Sequence, residues 1–168
     1  MMKRDAIFSS DRTHRFWLGR ELEQVQNKET LTFILLNPST ADENDDDPAT
    51  NKCVEIANDH EFGRVEIVNL FSAINSSSDE LTELNDPLRS ENDEYIMEAC
   101  ERADKIVCGW GNDGQYMNRS EETYSRISDY DLWCLRQNSA GDGEPTYVNP
   151  NGPLRHEMDN ELQPYVRH

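Results

Sequence analysis

Lysine is scarce in this sequence. Only Lys3, Lys28, Lys52 and Lys105 occur in 168 residues, against twelve arginines. Basic residues number 16 and acidic ones 34, for a formal net charge of −18. No basic stretch is present to follow a phosphate backbone, so general nucleic-acid binding is disfavoured. Apolar residues are also few, at 35%, where about 45–50% is usual. No apolar run approaches the ~20 residues that cross a bilayer, and the amino terminus lacks the basic-then-apolar pattern of a leader. The chain is expected to be soluble and cytoplasmic, with no membrane partner. The four cysteines, Cys53, Cys100, Cys108 and Cys134, form no CxxC pair, and no histidine lies at a finger spacing from them. Cys100, Cys108 and Cys134 are expected as buried thiols. No metal and no cofactor are expected.

Low hydrophobicity with high net charge suggests disorder, but three apolar runs argue for a core: Phe33 to Leu36, Val65 to Phe71 and Ile106 to Cys108. Scarce lysine on a densely acidic chain resembles the proteins of salt-loving organisms. In molar salt the Debye length falls to ~3 Å, which screens carboxylate self-repulsion.

Four strands are predicted, at Leu31–Leu36, Val65–Leu70, Lys105–Cys108 and Leu132–Leu135. Near-continuous apolar runs separated by helical segments describe a parallel sheet covered on both faces. The helices are predicted at Asn51–His60, then from a Ser90/Asp93 capping box through the stripe Ile96, Met97, Cys100 and Ala103, then from Ser120 to Ile127. The fold class is α/β, three layers around a mainly parallel four-stranded sheet, in one domain over 1–168. Ala6–Phe8 and Arg15–Leu22 read as an edge hairpin or a short helix. The segment after Asn138 reads as loop, with a tail over 149–168.

Ligands of open parallel sheets bind outside the carboxyl ends of the strands. Strand one is followed there by Asn37-Pro38-Ser39-Thr40-Ala41-Asp42, and strand two ends at Asn69-Leu70-Phe71. Gly109-Trp110-Gly111-Asn112 follows strand three. Asn offers a donor and an acceptor in one plane, which matches a nucleobase edge, and Phe71 and Trp110 offer stacking faces. Each also has a plainer reading. Asn37 before Pro38 can end a strand, Ser39-Thr40 can cap a helix, and Gly109-Trp110-Gly111 can be a tight turn around a packed Trp. The acidic run with Asp42, Asp45, Asp46 and Asp47 could hold a divalent cation. Asp47-Pro48 before Thr50 reads more like a helix start.

These residues resemble the family catalogued as domain of unknown function 1643, over roughly 8–148. The resemblance rests on Leu36-Asn37-Pro38-Ser39-Thr40-Ala41-Asp42, on Asp46-Asp47-Pro48 with Thr50 and Cys53, and on Val68-Asn69-Leu70-Phe71-Ser72-Ala73. It continues through Leu81, Asp86-Pro87 and Glu91-Asn92-Asp93 to Gly109-Trp110-Gly111. More distantly, the chain is similar to the uracil-DNA glycosylase superfamily. That resemblance implies a glycosylase-like fold, with Asn37 orienting a water, Asn69 reading a pyrimidine-like edge and Phe71 stacking on it. The chain departs from the domain of unknown function 1643 family at Gly143-Glu144-Pro145-Thr146-Tyr147-Val148, where that family ends in a Gly-x-Pro-x-His-Pro-like pattern; the nearest histidine is His156. An Arg expected after Phe71 is replaced near Asn75.

The expected function is hydrolysis of an N-glycosidic bond in a small nucleobase-containing ligand. Asn37 and Asp42 would surround the water, and Ser39, Thr40, Asn69, Phe71, Trp110 and Gly111 would bind the substrate. A non-catalytic nucleotide or nucleobase binding domain is the alternative, and a Mg²⁺-dependent phosphoester hydrolase the third. If the acidic surface is adapted to salt, the unfolding temperature rises steadily between about 0.1 and about 2 M KCl. A flat or falling curve in differential scanning fluorimetry would contradict that adaptation.

Overall fold

The structure, a computed structural model, describes residues 3–74, 88–138, 143–148 and 160–167. Ser76–Ser78, Leu81, Asp86-Pro87, Asn75 and His156 lie outside the described residues. Seven strands form one mixed sheet: β1 (Lys3–Phe8), β2 (Arg15–Glu21), β3 (Thr30–Leu35), β4 (Arg64–Asn69), β5 (Lys105–Cys108), β6 (Leu132–Cys134) and β7 (Gln163–Pro164). Their order is β1-β2-β4-β3-β5-β6-β7. The four predicted strands are neighbours, and β4-β3, β3-β5 and β5-β6 pair in parallel. Every residue of β3 is buried, as expected of a strand at the centre of a covered sheet.

The sheet is larger than four strands because both its edges are extended antiparallel. A hairpin of β1 and β2 adds to β4, and β7 adds to β6. Strand β2 shows little period-two alternation because most of it is buried on both faces, arginines included. Strand β7 places part of the expected loop tail in the sheet, with Pro164 at an edge, where a missing N–H costs no ladder bond.

Three helices cover the faces: α1 (Pro48–Asp59), α2 (Arg89–Arg102) and α3 (Arg119–Ile127). Helix α1 starts as predicted. The Asp47 carboxylate accepts the Thr50 N–H at 2.8 Å, and Pro48 fills the first turn, where no N–H is needed. Helix α2 differs from expectation, since Ser90 lies inside it and Leu88 at the cap provides no side-chain bond. The Asp93 carboxylate is turned instead toward two guanidiniums, Arg119 at 2.8 Å and Arg126 at 3.0 Å. Among the described residues, no helix is long and apolar enough to cross a membrane.

Alternate residues of the strands feed two cores. Leu31, Phe33 and Leu35 join Val65, Ile67, Cys53, Ile56 and Ala57 under α1. Ile34, Leu36, Val68 and Leu70 join Ile96, Ala99, Cys100 and Ile127 under α2 and α3. All four cysteines are buried and unbridged, and burial raises their thiol pKa values.

Past β5, Trp110 is fully buried and donates its indole N–H to Glu144 Oε2 at 2.5 Å. Glu144 is also fully buried and pairs with Arg167 beside β7. Arg167→Ala leaves that carboxylate without its charge partner, so urea unfolding should register a loss of about 3–5 kcal/mol. A change below about 0.5 kcal/mol would show that Arg167 does not hold this corner.

Candidate functional site

The carboxyl ends of β3 and β4 remain side by side beyond the last ladder residues. Leu35 is the register partner of Asn69, and the N–H groups of Leu70 and Phe71 donate to the carbonyls of Leu35 and Leu36 at 2.9 and 3.0 Å. Asn37 therefore emerges two residues past Leu35, the partner of Asn69, on the neighbouring strand.

Asn69 is 1% exposed. Its Oδ1 accepts from Arg15 Nη2 at 3.3 Å, while its Nδ2 has no partner among the described residues. Arg15 is itself buried and also donates from Nη1 to the Ala41 carbonyl at 3.0 Å. Its guanidinium thus ties the end of β4 to the loop that follows Asn37. Burial pulls the Arg15 pKa down to about 10 against the opposing charge of Asp47, so the group stays cationic at neutral pH.

The same residue is held on its other side by Asp47, whose Oδ2 accepts the Ala41 N–H at 3.1 Å. Burial alone would raise the Asp47 pKa. The hydrogen bonds from Thr50 and Ala41, with the charge of Arg15, outweigh it and keep the carboxyl below its ordinary value.

The remaining predicted residues separate into two groups. Asn37 is half-buried, and its Nδ2 reaches the Pro38 carbonyl at 3.3 Å. Ser39 Oγ accepts the Thr40 N–H at 2.6 Å, and Thr40 is exposed at the rim. Asp42 Oδ1 accepts the N–H groups of Asn44 and Asp45, both at 2.8 Å, and these bonds lower its pKa. These four residues lie on the loop after β3 that Arg15 ties to Asn69 at the end of β4, and the space between that loop and Asn69 is the candidate crevice.

Phe71 and Trp110 do not share it as stacking faces. Both are fully buried, Phe71 against Tyr116 with the Arg119 guanidinium over its ring, and Trp110 edge-on to Tyr165. The apolar core takes the rings, and that corrects the expectation of open aromatic faces. Gly111 is buried with φ of +75°, a conformation that favours glycine.

The acidic loop is organised by an arginine. Arg20, 3% exposed, donates to the carbonyls of Asp42 and Asp45 at 2.7 and 3.1 Å and to the Asp46 carboxylate at 2.7 Å. The carboxylates of Asp42, Asp46 and Asp47 thus take three separate sets of partners. Among the described residues, no group of three or more His, Cys, Asp or Glu is placed to hold a metal ion.

The family described as Protein of unknown function (DUF1643) matches residues 15–146. The chain belongs to this family. No curated protein and no solved structure matches it. The span matched to the DUF1643 family includes Arg15, Asn37, Asn69 and Arg119.

Several site residues escape sequence reading. Asn92, fully buried on α2, donates to the carbonyls of Asn69 and Leu70 at 2.9 and 3.3 Å. Arg119, 1% exposed, donates to the Leu70 carbonyl from Nε at 3.0 Å and Nη2 at 2.5 Å. Buried His14 lies with Nδ1 2.8 Å from Ser72 Oγ. Arg15 from β2 and Arg119 from α3 thus bring two buried guanidiniums to the end of β4. The one available signal was an arginine at the start of an otherwise apolar segment, Arg15-Phe16-Trp17-Leu18.

Folding lowers the Asp47 pKa, so its stabilisation is present above the unfolded value of about 3.9 and lost as pH falls through the lower folded value. Asp47→Ala should cost about 1–2 kcal/mol near pH 6. The gap to wild type should shrink on acidification through the folded value, in urea melts at matched salt. An unchanged gap would mean the cap does not depend on ionised Asp47.

Proposed function

We propose that the crevice binds a nucleobase-containing compound and hydrolyses its N-glycosidic bond, on a glycosylase-like parallel core of β4-β3-β5-β6. The observation that carries this reading is the buried Asn69 amide, polarised by Arg15 and with a donor left over. A guanidinium N–H on Oδ1 draws electrons through the amide and makes Nδ2 a stronger donor. Such a donor suits a base carbonyl on which negative charge grows as the glycosidic bond breaks. Asn37, two register steps further along the neighbouring strand, orients the attacking water, and Asp42 lies on the same loop. Arg15 is a positioning residue that acts through Asn69.

The acidic loop also selects the substrate class. Asp42 and Asp47 are held ionised beside the crevice, and they disfavour a phosphate there. A nucleoside or free base fits better than a polymer.

One feature favours a second reading, a domain that binds a base without hydrolysing it. Both oxygens of Asp47 and Oδ1 of Asp42 already accept backbone N–H groups, which weakens each of these carboxylates as a general base beside Asn37.

A thermal-shift screen of bases and nucleosides, followed by chromatography for released base, separates the two. Asn69→Ala should abolish the shift. Asn37→Ala should keep the shift and slow base release by about 100-fold. A ligand that binds through Asn69 with no base released supports the binding domain. A wild type that no base or nucleoside shifts refutes both readings.

A further inference from the structure

The segment 145–148 runs back across the end of β5. Gly111 N–H donates to the Pro145 carbonyl at 3.0 Å, Val148 N–H to the Gly109 carbonyl at 3.3 Å, and Thr146 N–H to the Arg136 carbonyl at 2.7 Å. Val148 is fully buried and joins the core beneath α1, the one that holds Leu35, Ala41 and Cys53. The backbone on both sides of Tyr147 is therefore anchored, and its side chain is the part left to face outward.

Tyr147 is 38% exposed, in contrast to Phe71 and Trp110. It stands directly over Gly111, where an ideal β-carbon would lie 3.0 Å from Tyr147 Cβ. A side chain at position 111 would occupy this space, so glycine keeps it open as well as allowing the positive φ. Partial burial raises the Tyr147 pKa, with further contributions from the charges of Asp47 and Cys53. Val148 beside it shares its core with Leu35 and Ala41, which flank Asn37 in sequence; Asp47 binds the Ala41 N–H, and Arg15 joins the Ala41 carbonyl to the Asn69 side chain. One residue, Ala41, thus links the polar floor of the crevice to the core on which the Tyr147 segment is anchored.

Resting on the crevice reading above, we infer that Tyr147 is the aromatic contact of the crevice, stacking on the planar base whose edge Asn69 reads. Ring stacking is tolerant of base identity and grows with ring area. Tyr147 therefore contributes affinity and a preference for purine over pyrimidine compounds, while Asn69 supplies the hydrogen-bonding selectivity. The phenol hydroxyl is not needed for stacking, so phenylalanine should substitute.

The test is isothermal titration of the full chain with a purine and a pyrimidine nucleoside, on wild type, Tyr147→Phe and Tyr147→Ala. Unfolding temperatures without ligand are measured alongside. Tyr147→Phe should bind within about twofold of wild type, and Tyr147→Ala about tenfold or more weakly, with the larger loss for the purine. Because the side chain is partly exposed, neither variant should unfold much earlier than wild type. If wild type binds and Tyr147→Ala binds equally well, Tyr147 has no such role and the crevice reading stands. If Tyr147→Phe loses as much as Tyr147→Ala, the hydroxyl is the contact and stacking is refuted. If wild type binds neither nucleoside but unfolds normally, the crevice reading fails and this inference with it.

Discussion

A guanidinium buried at the end of a parallel sheet must find acceptors or lose its charge, and Arg15 finds them in two different elements. One Nη donates to the Asn69 side chain on β4 and the other to the Ala41 carbonyl in the loop after β3. This bridge fixes the distance between the strand that carries Asn69 and the loop that begins with Asn37. Asp47 depends on it as well, since it holds the N–H of the same residue and caps α1. A sheet end, a loop and a helix start thus share one buried cation. Its burial is tolerable because the charge of Asp47 opposes the desolvation cost.

The imbalance between arginine and lysine takes on a local meaning here. Arg15, Arg20 and Arg119 are each nearly fully buried, and each donates to backbone carbonyls at the end of a strand or within a loop. A planar fork can satisfy several carbonyls in fixed directions, whereas an ammonium is a compact, strongly hydrated charge. Some of the arginine in this acidic chain is therefore interior scaffolding. The Asp42–Asp47 run follows from it, because Arg20 gathers the loop carbonyls and the Asp46 carboxylate around itself.

Sequence patterning reached the centre of the sheet and left its amino-terminal edge open between a hairpin, which the structure has, and a short helix. Strands β3 to β6 were legible because burial on both faces makes them largely apolar, and Asp47-Pro48 announced α1 through cap chemistry that is local in sequence. The positions of Asn37 and Asn69 followed from where those strands end. Strand β2 was obscured because buried arginines interrupt its pattern, and β7 because two residues carry no periodicity. The contacts that build the site join distant parts of the chain: Arg15 to Asn69, Arg119 to Leu70, Asn92 to Asn69. No local spacing encodes such pairs. Phe71 and Trp110 misled for a related reason, since an aromatic residue at a strand end can cap the core as readily as line a crevice, and neighbours far away in sequence decide which.

The central claim is that the Asn69 amide, polarised by Arg15, is the donor offered to a base. The most direct measurement is the ¹H–¹⁵N spectrum of the Asn69 side-chain amide during titration with a nucleoside. Its assignment is checked by the signal lost in Asn69→Asp. The account predicts that one Nδ2 proton moves downfield as it takes up a base carbonyl, with the same saturation curve as the backbone signals of the Asn37 loop. A nucleoside that saturates signals elsewhere while the Asn69 amide stays fixed would contradict it.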